Sequence, residues 1–145
     1  MLTDYHKHLA GVVATRLSGH PVELRWDDPA DARYHYGVAR KAGTVGIIEI
    51  EPWHDQQKIL DVLLHETAHL RQHWDSIPDD LVDPPEAQRR RPVLRGVSKV
   101  AQAFYHGRER EADELAARWK AWAWEHSRDG TLEAQLEALA GIDTI

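Results

Sequence analysis

Residues Gln56 to His73 read as one unbroken helical run, and inside it stands His65-Glu66-Thr67-Ala68-His69. No Pro or Gly interrupts the stretch, and Ile59-Leu60-Asp61-Val62-Leu63-Leu64 ahead of the motif is apolar enough to bury the helix. Residues four apart on a helix lie one turn above each other on the same face. Two imidazoles held that way can grip one Zn²⁺, and Glu66 beside the first can act as base on a water at the ion. Catalytic sites of this kind take three protein ligands and leave a position for water. The chain must therefore bring one more ligand to this helix.

Around that helix the pattern predicts an α+β domain. Tyr5, Leu9, Val12, Val13 and Leu17 recur at helical spacing across 3–18, ending at Ser18-Gly19. Three strands are expected at 21–26, 34–39 and 45–51, the last stopped by Pro52. The motif helix spans about 55–74. Residues 75–97 hold Pro78, Pro84, Pro85 and Pro92 and read as a long connector, with a lid or substrate-contacting loop as the alternative. Ser98 can cap a second long helix through Trp124, with an interruption expected at Gly107, and a short helix covers 131–140. The order is helix, three strands, motif helix, long helix, short helix: one domain over 1–145 with helices against a small sheet.

Composition narrows the chemistry. The chain has 145 residues, enough for a core without staples, and no cysteine, so thiolate zinc sites and disulfides are excluded. Any zinc must be held by His and carboxylate. A net charge of −6 argues against nucleic acid as a partner, and Arg89-Arg90-Arg91 with Arg95 reads as a solvated loop. No apolar run reaches the roughly 18–20 residues of a membrane span. The N-terminus lacks a cationic start followed by an apolar block, so a cytoplasmic location is expected.

Three residues compete to be the third ligand. Glu109 stands in Arg108-Glu109-Arg110-Glu111-Ala112-Asp113, flanked by Ala112 and Ala116, which let another helix approach closely. Asp113, one turn on, can accept the second ring N–H of a metal-bound His and fix its tautomer. Glu111 points roughly 160° away from Glu109 at about 3.6 residues per turn, so only one of the two can serve. His106 is the second candidate; it can instead stabilise a developing oxyanion, a role Tyr105 can share. Asp75 is the third, ten residues after His65, but Gln72 replaces the Gly of the extended H-E-x-x-H-x-x-G pattern and the sole Met is Met1. His73 continues the His65/His69 row two turns from His65, too far to share the ion.

His65-Glu66-Thr67-Ala68-His69 followed by Glu109-Arg110-Glu111-Ala112-Asp113 resembles the gluzincin zinc metallopeptidases, which pair H-E-x-x-H with E-x-x-A-D. In size and order the chain is most similar to the minimal gluzincins and the ImmA/IrrE-type peptidases, over residues 22–124. Ala68 stands where the latter often have Gly, and Arg118-Trp119-Lys120-Ala121-Trp122 where they often have Leu-Leu-x-Pro. Leu63-Leu64-His65-Glu66 with His106-Gly107 is similar to SprT-like proteases, which would make His106 the ligand. The resemblance implies a zincin-like fold, zinc on His65, His69 and Glu109, Glu66 as base and Asp113 behind a ligand. It also implies a peptide or protein substrate extended along residues 45–51 as an edge strand.

The expected activity is therefore zinc-dependent peptide-bond hydrolysis. Two alternatives belong to other classes. One is a zincin-fold metal-binding regulator or phage assembly protein that cleaves nothing, against which the intact Glu66 argues. The other is a helical interaction module. Trp119, Trp122 and Trp124 cannot share one face, which leaves one of them as an anchor for a partner or half-buried on the flank.

Overall fold

The computed structural model describes residues 2–26, 37–72 and 99–142, with the side chains of residue 38 and of residues 99–106 outside the described set. Helix α1 (Asp4–Ser18) starts at a capping box: the Thr3 hydroxyl accepts from the His6 N–H and the His6 ring accepts from the Thr3 N–H, each at 3.1 Å. Strands β1 (Val22–Arg25), β2 (Gly37–Ala42) and β3 (Val45–Ile50) follow. Asp55 caps α2 (Gln56–Arg71), taking the Gln57 and Lys58 N–H groups, and Gln72 ends it. Helix α3 (Lys99–His126) passes through Gly107 without a break, so the interruption expected there does not occur. Thr131 caps α4 (Leu132–Ala140). The capping role expected of Ser98, the start of the expected 34–39 strand and the 75–97 connector lie outside the described residues.

The sheet order is β1-β3-β2. β1 runs parallel to β3, with Val22 opposite Gly46 and Leu24 opposite Ile48. β2 runs antiparallel, from Gly37 opposite Ile50 to Ala42 opposite Val45. This corrects the expectation that residues 45–51 form an edge strand. β3 is central, and both rows of its backbone hydrogen-bonding groups are taken by neighbouring strands. Among the described strands the edges are β1 and β2.

One face of this sheet carries the helices. Ile48 and Ile50 from β3 and Ala39 from β2 join Leu9, Val13 and Leu17 of α1 and Leu60, Leu63, Leu64 and Leu70 of α2 in one core, completed by Ala112, Trp119 and Ala123 of α3 and Leu132, Leu136 and Leu139 of α4. Each fully buried Leu or Ile contributes about 1.5–3 kcal/mol of transfer free energy, so α2, packed on α1, α3 and the sheet, is the best anchored element.

Two glycines decide how closely α2 sits on the strands. A Cβ at Gly46 would stand 2.8 Å from Leu70 Cδ1, and one at Gly37 would overlap Val62 Cγ1. Val62 and Leu70 bracket the motif, so its depth against the sheet is set on both sides. Of the three tryptophans on α3, Trp119 is buried, Trp122 is half-buried and stacked on His126, and Trp124 is 62% exposed beside Gly130. Among the described residues, no helix is long and apolar enough to cross a membrane.

Candidate metal centre

The contacts between α2 and α3 include Asp61 with Lys120, His65 with Asp113, and the side chain of Gln72, which caps α2, with the backbone carbonyl of Arg108. Their numbers rise on one helix as they fall on the other, so the helices run antiparallel. Ala112, wholly buried in this contact, keeps the approach close. The result brings Glu109 of α3 to the two histidines of α2, as its small flanking residues suggested.

His65 Nε2 and His69 Nε2 lie 3.2 Å apart. Glu109 Oε2 stands 3.2 Å from the first and Glu109 Oε1 3.2 Å from the second. The rings meet nearly at right angles, 89° between planes. A tetrahedral ion at about 2.0–2.1 Å from each donor requires donor atoms about 3.3 Å apart. The two ring nitrogens fit that spacing, each faces a different oxygen of Glu109, and together the three residues can hold a metal ion.

The rest of the arrangement supports each donor. Asp113 Oδ1 lies 2.9 Å from His65 Nδ1, where it accepts the ring N–H and turns the Nε2 lone pair inward. On the other ring, His69 Nδ1 lies 3.2 Å from Gln72 Oε1. The Gln72 amide group in turn donates to the Arg108 carbonyl and to a Glu111 carboxylate oxygen, both at 3.1 Å. Sequence reasoning missed Gln72, which stood only as a departure from the Gly of another motif. Glu111 faces this amide while Glu109 faces the histidines, in keeping with the angle between them on the helix.

Electrostatics favour an anionic Glu109. Burial would raise its carboxyl, but the His65 and His69 rings in their protonated form, which carries N–H on both nitrogens, donate to it, and these hydrogen bonds and the ring charge outweigh burial and hold it well below the usual carboxylate range. Glu66 is 4% exposed, and its Cγ is within 3.6 Å of where a Cβ at Gly37 would stand. The base candidate is thus set between the motif helix and edge strand β2. The side chains of Tyr105 and His106 and all of Asp75 and His73 lie outside the described residues, so the oxyanion roles and the rival ligands are not placed. Among the described residues, Glu109 is the carboxylate that meets both imidazoles.

No protein-family model matches the chain, and no curated protein or solved structure matches it either.

Proposed function

We propose that this chain is a zinc-dependent metallopeptidase of zincin-like fold, with His65, His69 and Glu109 as ligands in a gluzincin-like pattern. The observation that carries the reading is the convergence of two imidazole nitrogens 3.2 Å apart with a carboxylate that places one oxygen 3.2 Å from each. The donor set of two nitrogens and one oxygen, without thiolate, suits a catalytic rather than a closed structural zinc site. Zinc bound there would polarise the scissile carbonyl and lower the pKa of water toward neutrality.

The remaining work falls to the chain's own residues. Asp113 keeps His65 in the tautomer that presents Nε2 inward. Glu66, buried beside the first ligand, accepts the proton of the attacking water and hands it to the leaving amine. An extended peptide pairs backbone to backbone along β2, whose Gly37 end lies beside Glu66. This moves the substrate from β3, which has no edge to offer, to its neighbour.

Zinc content and cleavage of unstructured peptides by the purified protein test the reading, with E66Q as the decisive variant. E66Q is expected to keep stoichiometric zinc and to lose cleavage by at least about 10²-fold, the usual contribution of a positioned base. Unchanged cleavage would refute the role of Glu66. Zinc bound by the wild type without any cleavage would instead favour a metal-binding regulatory or assembly protein.

A further inference from the structure

The Gln72 side chain joins both halves of the site, and its orientation settles a proton. Its Nε2 faces the Arg108 carbonyl oxygen and a Glu111 carboxylate oxygen. Both can only accept, so the NH₂ group belongs on that side and the amide oxygen faces His69 Nδ1. An amide oxygen cannot donate, so Nδ1 of His69 carries the hydrogen. In the neutral ring Nε2 is then a bare lone pair, directed at His65 Nε2 and Glu109.

We propose that Gln72 is a positioning residue of the metal site, holding His69 in its ligating tautomer while clamping α3 one residue before Glu109. The proposal rests on the metal-site reading above. It assigns the two histidines different supports: an exposed carboxylate, Asp113, behind His65, and a neutral amide behind the buried His69. A neutral acceptor suits the buried ring, because a second anion there would have to be desolvated. The same amide also takes hold of α3 at Arg108, so one side chain sets the orientation of one ligand and the position of the helix that carries another.

The variants Q72M and Q72E separate these duties. Methionine keeps length and loses every hydrogen bond; glutamate keeps an acceptor for His69 but cannot donate to Arg108 and stands against Glu111. Their backbone cap to Ala68 is unchanged. Zinc affinity, read by chelator competition, is expected to weaken about 10–100-fold in Q72M, the usual cost of losing a group behind a ligand. Imidazole ¹⁵N NMR of the metal-free protein, above the pH range where histidine ionises, should show His69 as the Nδ1–H tautomer in wild type and Q72E, and a shift toward Nε2–H in Q72M. Wild type that binds zinc, with Q72M binding it equally and His69 unchanged, overturns the role of Gln72 and leaves the site standing. Wild type that takes up no zinc overturns the site itself. A purely structural cap would lower thermal stability in Q72M and leave the tautomer unaltered, which also counts against the proposal.

Discussion

A carboxylate set against two imidazole nitrogens does different things with and without a cation, and Glu109 is the residue at which the difference can be measured. In metal-free protein its carboxyl is held below the ordinary range, against the effect of burial, by hydrogen bonds from the protonated His65 and His69 rings. A depressed folded-state pKa lends stability that is fully present above the unfolded carboxyl's value, about 4.3, and is lost as pH falls through the folded value. The metal-free E109Q variant should therefore be less stable than wild type near pH 6, and the gap should close as the solution is acidified below pH of about 4. Urea denaturation of both proteins across that range checks it. A gap that widens on acidification would mean that the carboxylate is not held by the histidines.

Among the elements, the two close contacts of α2 with the sheet carry the sharpest stability predictions. A methyl at Gly37 would run into Val62 and come within 3.2 Å of the Glu49 carbonyl oxygen, which belongs to the strand ladder and cannot move aside. G37A should cost about 1–3 kcal/mol, the range for overpacking a filled site, and lower cleavage while zinc affinity holds, because the strain falls beside Glu66 rather than the ligands. Gly107 is the contrast: it lies inside α3 with nothing among the described residues within 4 Å of where a Cβ would stand, so G107A should gain about 0.8–1.0 kcal/mol from helix propensity. Chemical denaturation midpoints decide both. These positions also mark what could be read from sequence. The starts of three helices were legible because caps such as Thr3, Asp55 and Thr131 act within a few residues of themselves, while the motif helix stops at Arg71, short of the expected 74. Glu109 and Asp113 were legible because helical spacing fixes which residues share a face. Strand order was not, since nothing local to residues 45–51 states that β1 and β2 pair on either side of them. Gln72 was hidden for the same reason: two of its three partners stand on a helix 36 or more residues away.

For the molecule as a whole, the ion would bridge α2 and α3, two helices already joined without it. Their contact includes the Asp61–Lys120 pair, Ala112 and the core that contains Leu60, Leu64 and Trp119. Metal should therefore reinforce a folded domain rather than create one, unlike small zinc modules that unfold when stripped. With free zinc at about 1,000 times its dissociation constant, linkage supplies about 4 kcal/mol of added stability. On the proposed reading zinc would bind the unprotonated imidazoles, so protons would compete with it and the gain should fade in acid. Thermal melts followed by circular dichroism, with zinc and with excess chelator at several pH values, test each part. The stripped protein should keep its helical signal at room temperature and melt lower than the loaded form at neutral pH, and the two melts should converge in acid. Loss of helix on chelation would show that the core cannot hold α2 to α3 alone. Identical melts at neutral pH would show that no ion joins them.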